Sequence, residues 1–296
     1  MLNFHTRSVY SYKKSIAKIE DIIKKSKEQG ETSFCITDYG SLTSFVKAFS
    51  LASKHNMKFI PGCEFLLKPE DDVNSFLIKE KIKLIEKEMR LKRTTKEMYA
   101  NYEKEIQELK NIKSVEEHSI IILAKNEEGF KSLINIYNHS NLENDKFLIT
   151  KEIIEANKEG LIILSGGIYS DILYYIRIGN NEKAKQLLEN YKNIFGENFY
   201  AQIEYQKMKK QKGFIDEVES YNTFIELAQE LDIEFVATNS VKYVNLSDRA
   251  HYRLFENVMS SHDVVFYQDN GHLIEEDELK SLMLKVYPED VVVKAF

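Results

Sequence analysis

Short apolar runs recur along this chain, and most are followed by a longer stretch with helical spacing. Strand-type runs fall at 2–5, 33–37, 58–61, 118–124, 161–164, 199–205 and 234–238. Helical spacing is clear at 16–29, where Ile16, Ile19, Ile22 and Ile23 share a face and Gly30 ends the pattern. Further helices are expected at 44–55, 126–138, 181–195 and 220–231. Runs such as His118–Ala124 and Leu161–Leu164 are apolar nearly throughout, as strands buried on both faces are. Repeated βα units of this kind predict an α/β fold, a parallel sheet or barrel with helices outside.

Size and composition fit one large α/β body. The chain has 296 residues, 43% of them hydrophobic and 30% charged, which is enough to bury a core without staples. Only two cysteines occur, Cys35 and Cys63, both in strand-type runs, so no disulfide framework is implied and an intracellular, cytoplasmic setting is expected. The first residues lack a long apolar segment, and no run approaches the roughly 20 apolar residues that cross a bilayer, so no membrane association is expected. A net charge of −6 supplies no overall attraction to nucleic acid.

Two regions break the rhythm. Between 70 and 117 charges of both signs are interspersed. Ile78, Ile82, Ile85 and Met89 share one helical face there, and Met98, Tyr102, Ile106 and Leu109 share another. Thr94-Thr95 with Glu97 resembles a capping box between them. An inserted helical hairpin is expected, either a solvated decoration or a docking arm. Towards the end, a helix at 275–286 is stopped by Pro288, and the apolar close VVVKAF suggests continuation. The expected organisation is therefore a barrel domain at 1–275, interrupted by 70–117, with 276–296 starting a linker or a following domain.

Asp38, Glu64, Gly167 and Ser240 stand just after strand ends, where parallel α/β folds build sites, and His5, Asp38, Glu64 and His118 are the residues among the motif-like positions able to ligate metals. Clustered divalent metals help phosphoester hydrolysis by polarising the phosphoryl group and acidifying bound water. Taken alone, these four are a weak set, since a histidine beside a strand is commonly a packed structural residue.

Order and spacing make the pattern specific. Asn3-Phe4-His5-Thr6-Arg7-Ser8-Val9-Tyr10-Ser11 resembles the His-x-His-Ser-x-x-Ser motif of the polymerase and histidinol phosphatase (PHP) family. Ile36-Thr37-Asp38-Tyr39-Gly40 resembles its Thr-Asp-His-Gly motif, and Gly62-Cys63-Glu64 its Gly-x-Glu motif. The stretches 118–133 and 159–167, the segment Val236-Ala237-Thr238-Asn239-Ser240-Val241-Lys242-Tyr243, and Asp248 with His251 resemble the version found in bacterial DNA polymerase III α subunits. The similarity extends to about position 290.

The resemblance implies a distorted (β/α)7 barrel with a metal cleft at the strand ends. Carried over by position, His5, Asp38, Glu64 and His118 match ligands. Arg7 and Tyr39 stand where the family has histidines, Gly167 where it has Cys or His, and Ser240 and Lys242 where it has Asp and His. Arg is never deprotonated at working pH and an ammonium repels cations, so the site is read as vestigial. Arg7 or Lys242 is expected to pair with Asp38 or Glu64. His5 and His118 are expected to persist through packing and hydrogen bonding.

No resident cofactor is then expected; zinc or manganese is what a reduced site of His5, Asp38, Glu64 and His118 would hold. The function implied is the N-terminal domain of a replicative polymerase III α-type protein, catalytically inactive and structural. Its expected partners are the rest of a polymerase chain and a proofreading exonuclease subunit, with DNA reached only through the parent polymerase. The alternatives are a metal-dependent phosphoesterase or 3′–5′ exonuclease, and a free-standing protein holding phosphate on Arg7 and Lys242.

Overall fold

Alternation along the strands decides what each one turns inward. In the computed structural model, which describes residues 2–68, 82–90, 95–111, 118–142, 148–208, 214–259 and 270–296, seven strands form one sheet. They are β1 (Ser33–Tyr39), β2 (Lys58–Leu67), β3 (His118–Ala124), β4 (Leu148–Ile149), β5 (Leu161–Leu164), β6 (Phe199–Ile203) and β7 (Phe235–Ala237). The path runs β1-β2-β3-β5-β6-β7, with β4 pairing β2 off the path. The chain is thus a mixed α/β protein whose curled sheet and surrounding helices make a distorted barrel.

One set of alternating side chains fills the interior. Cys35, Ile121, Leu123 and Leu164 are buried together, with Ile60, Ile162, Tyr200 and Val236 against them. The opposite set packs under the helices: Cys63, Phe65 and Leu67 of β2 and Phe199, Ala201 and Ile203 of β6 join the largest core. Phe34 and Ile36 of β1 pack with Ala17, Ile19, Ile22, Ile23, Ala48 and Ala52. Because the side-chain period is two, the inward rows continue upward as Ile60-Gly62-Glu64, Tyr200-Gln202-Glu204 and Val236-Thr238-Ser240. The interior therefore grades from apolar to charged toward the C-terminal strand ends. Glycine is required at 62, where a Cβ would lie 2.5 Å from Leu123 Cδ2 and 2.9 Å from the Ile122 carbonyl.

The N-terminal segment closes the sheet. Expected as a strand at 2–5, it instead forms a single parallel bridge, Thr6 with Val241. Arg7 N donates to Val241 O (3.1 Å), Val241 N to His5 O (3.0 Å) and Thr37 N to Thr6 O (2.8 Å). Residues 5–7 are thereby held between β1 and the segment following β7.

Pairing direction departs from the sequence expectation at β3. Strands β1 and β2, β5 and β6, and β6 and β7 are parallel, but β3 is antiparallel to β5, with Ile121 opposite Leu164. The reason lies in what joins β2 to β3. Residues 68–118 form a compact unit of their own, and a chain that detours in this way need not return in the parallel sense a βα crossover imposes. The reversal carries the start of β3, and with it His118, to the edge where the parallel strands end.

That second unit has a helix at 82–89 and another at Lys96–Asn111, with Ile85 and Ile106 buried together and Ile82, Met89 and Tyr102 beside them. Met98 N donates to Thr95 Oγ1 (3.2 Å), so the cap is Thr95 rather than the Thr94 that a box with Glu97 requires. Met98 itself is exposed; Ile78 and the side chain of Leu109 lie outside the described residues.

The C-terminal residues belong to the main body. The helices Glu276–Met283 and Glu289–Ala295 bury Leu279, Met283, Val291, Val292 and Ala295 in the largest core, and Pro288 caps the second helix. The boundary expected at 275–276 thus falls inside one compact unit, Met1–Leu67 with Ser119–Phe296. In the apolar close, Val292 and Ala295 are buried while Val293 is 52% exposed; burying a large aliphatic side chain contributes about 1.5–3 kcal/mol.

Candidate functional site

Four charged side chains meet at the top of the barrel interior, all nearly inaccessible: His5 at 2%, Arg7 at 5%, Glu64 at 1% and Glu204 at 0% exposure. Arg7 grips Glu64 with two donors, Nε to Oε2 (2.5 Å) and Nη2 to Oε1 (2.8 Å), and its Nη1 donates to Ser240 Oγ (2.8 Å). This planar fork is the geometry that suits guanidinium to carboxylate. His5 bridges the two acids, with Nδ1 at 2.7 Å from Glu204 Oε1 and Nε2 at 3.3 Å from Glu64 Oε2. Ionised carboxylates only accept, so the ring serves both by carrying protons on both nitrogens. Glu204 also accepts from Thr238 Oγ1 (2.9 Å), Gln202 Nε2 (2.8 Å) and Gln206 Nε2 (2.5 Å).

The four charges cancel, and their ionisation follows from that. Burial opposes the charged form of every member, yet the mutual attractions prevail. Glu64 is held well below the usual carboxylate range by Arg7 and His5 against the cost of burial. Glu204 is lowered by His5 in the same way. Burial lowers His5, but Glu204 and Glu64 outweigh it and hold the imidazole above its ordinary value.

The remaining sequence candidates are placed differently. Asp38 is fully buried but lies on the other face of its strand, among serines: Ser8 N (2.6 Å) and Ser11 Oγ (2.6 Å) donate to Oδ1, and Ser8 Oγ to Oδ2 (2.9 Å). Burial without a cation pushes its carboxyl up, against those bonds. Of the cation–carboxylate pairings expected from sequence, the one formed is therefore Arg7 with Glu64. Tyr39 lies under the Lys14 ammonium, 4.8 Å from the ring centroid. Lys242 sits 5.7 Å from the ring centroid of Tyr252, and burial, then repulsion from Arg7, brings it down to about 8. His118 is buried at the start of β3.

Gly167 explains a residue that sequence reasoning missed. A Cβ there would lie 2.4 Å from Glu204 Oε2, so the Glu204 carboxylate occupies the space a side chain at 167 would need. Glu204 follows β6 directly, an acid at the C-terminal end of a strand, but no motif marked it.

With this geometry in view, the known relatives can be placed. The pattern of the PHP domain matches residues 3–207. The chain belongs to the PHP domain family. Its similarity to DNA polymerase III α subunits spans most of the chain at low identity. The protein of Aquifex aeolicus is 25% identical over 250 residues, 84% of this chain and 19% of the relative. That of Borreliella burgdorferi is 28% identical over 256 residues, 83% and 18%. The chain therefore spans about a fifth of the length of the relatives it matches. Among solved structures, an amidohydrolase from Chromobacterium violaceum with bound sulfate and no metal aligns at 9% identity and a TM-score of 0.40, covering 82% of this chain and 87% of its own.

The motif resemblance implies a metal cleft lined by His5, Asp38, Glu64 and His118. A ligand must offer an unprotonated, uncommitted lone pair. Both His5 nitrogens are directed at carboxylates, both Glu64 oxygens accept from Arg7, and Asp38 is held by Ser8 and Ser11. Among the described residues no group of three or more His, Cys, Asp or Glu side chains is disposed to hold a metal. As folded, the donor atoms of His5, Glu64 and Asp38 are therefore engaged by protein groups.

Proposed function

We propose that this PHP domain is the N-terminal domain of a replicative DNA polymerase III α-type protein, cytoplasmic, in which protein charge has replaced metal charge. Its role is structural: it supports the polymerase body and docks partners such as a proofreading exonuclease. One observation carries the reading, the Arg7 guanidinium seated bidentately on Glu64 at the centre of the former cleft. A hydrolase using His5, Asp38, Glu64 and His118 would have to break that pair, and separating a buried ion pair costs about 3–5 kcal/mol. Phosphate on Arg7 is equally disfavoured, because Nε, Nη1 and Nη2 already donate to Glu64 and Ser240.

Elemental analysis after dialysis against zinc or manganese, together with phosphatase and exonuclease assays in those metals, tests the reading. The expected result is less than stoichiometric metal and no turnover. Stoichiometric metal with an activity that His5→Ala abolishes would overturn it. Co-purification with a proofreading exonuclease subunit, lost when the exposed surface but not the buried cluster is altered, tests the docking role.

A further inference from the structure

The inserted hairpin buries little of its own apolar surface. Among the described residues of the unit at 68–118, Ile85 and Ile106 are buried together, and Ile82, Met89 and Tyr102 are half-buried against them. A small unit with so thin a core is completed by a covalent staple or by another surface packed on it. Neither cysteine of the chain lies in this unit, so a second surface is the route open to it.

The two helices, 82–89 and Lys96–Asn111, leave an open groove of about 760 Å³ between them. Its apolar lining is Met89, Tyr99 and Ile106. Ile106 is buried, Met89 half-buried and Tyr99 45% exposed, so apolar surface of graded depth is presented outward. Methionine and tyrosine are among the residue types enriched where proteins associate. Tyr99 and the charged residues Arg90, Glu103 and Lys104 of the lining are exposed, so the groove does not enclose a small molecule as ligand pockets do.

Charge selects the occupant. Two acids, Glu86 and Glu103, and two bases, Arg90 and Lys104, line the groove, so it presents no net sign to a polyanion or to a uniformly acidic or basic helix. It is instead complementary to itself. Glu86 and Arg90 stand four positions apart, one helical turn, and both line the groove. When a second copy of that helix lies antiparallel across a two-fold axis, Glu86 meets Arg90 of the partner subunit, and Arg90 meets Glu86 of the partner subunit.

We propose that the groove takes the same hairpin of a second copy of this chain, making a two-fold four-helix bundle with Met89, Tyr99 and Ile106 of both copies at its centre. The association supplies the apolar burial that one hairpin lacks. It concerns the unit at 68–118 by itself and does not depend on the polymerase reading.

Sedimentation equilibrium of the whole 296-residue chain at low salt, from about 1 to about 100 μM, tests the proposal. A monomer–dimer equilibrium is expected. Tyr99→Glu weakens it at least about tenfold, as loss of a central aromatic anchor does. Glu86→Arg and Arg90→Glu each weaken the homodimer, because like charges then face each other across the axis. Mixed in equal amounts, those two variants form a heterodimer at least about tenfold tighter than either homodimer. Glu86, Arg90 and Tyr99 are all at least partly exposed, so the variants fold, and circular dichroism confirms it. Replacing 70–117 by a short turn yields a monomer. A chain that stays monomeric at about 100 μM, its groove then left to solvent or to a different protein, would overturn the proposal. So would a dimer that persists without 70–117, or charge-reversal variants that fail to associate when mixed.

Discussion

Gly167 and Glu204 compete for one volume, and that competition shows how the cluster is built residue by residue. Glu204 is pinned by His5, Thr238, Gln202 and Gln206, so it cannot swing aside for a new methyl group. Gly167→Ala should therefore destabilise the fold by about 1–3 kcal/mol, the usual cost of overpacking. Gly167→Ala combined with Glu204→Ala should cost less than the sum of the two single changes, because the clash disappears with the carboxylate. Chemical denaturation of the three variants measures this coupling, and strict additivity would show that the two positions are independent. The sequence displayed His5, Arg7, Glu64 and Ser240 through a linear motif pattern, and the structure joins them in one network. It displayed Asp38 too, but could not show that this side chain leaves β1 on the other face and meets serines. Glu204 was hidden because its importance comes from a space left empty 37 residues earlier in the chain, at Gly167.

At the scale of elements, what was legible followed from local physics. Most strands fell where apolar runs ended in turns, and Ile19–Glu28, Phe45–His55, Asn181–Phe195 and Glu217–Glu230 lie within or close to the predicted helices. Pairing direction was not legible, since an apolar run such as His118–Ala124 serves a parallel or an antiparallel neighbour equally well. Nor was the N-terminal closure, which rests on three backbone hydrogen bonds and one bridge rather than on a periodic pattern. The hairpin unit offers a test at this scale. Its buried residues Ile85 and Ile106 form a core of their own, and β2 and β3 are neighbours in the sheet. Replacing 70–117 by a short turn should leave the body folded, with a melting temperature changed by no more than about 4 °C, roughly 1 kcal/mol for a domain of this size. Loss of cooperative unfolding would mean that the body depends on the hairpin.

The whole molecule joins its N-terminus, β2, β6 and the segment after β7 through buried ionisable groups, so its stability must depend on pH in a way whose sign can be worked out. Glu64 and Glu204 have depressed values, so their contribution is present above the ordinary carboxylate range and is lost as pH falls through the folded values. Glu217 behaves oppositely. Burial pushes it up to about 7, although Gln206 N and Met208 N donate to its carboxylate, so the folded state prefers the protonated form and stability declines as pH rises from about 4.5 to about 7. His5 is raised, so its contribution is complete below about 6.5 and is lost as pH climbs through the folded value. Lys242, lowered to about 8, works the other way at the alkaline end, since the unfolded chain binds its proton more tightly and stability regains ground between about 8 and 10.5. Summed, these place the stability maximum near pH 5, with a decline toward pH 8 that never exceeds about 1.4 kcal/mol per pH unit for each titrating group. Urea unfolding across pH 4–9 measures the curve. Glu217→Gln should flatten the part between about 4.5 and 7, and His5→Gln, less stable throughout, should flatten the part above 6.5. A His5→Gln curve that keeps the parent's alkaline slope would show that the ring is neutral in the folded protein, and the four-charge balance at the centre of the barrel would then fail with it.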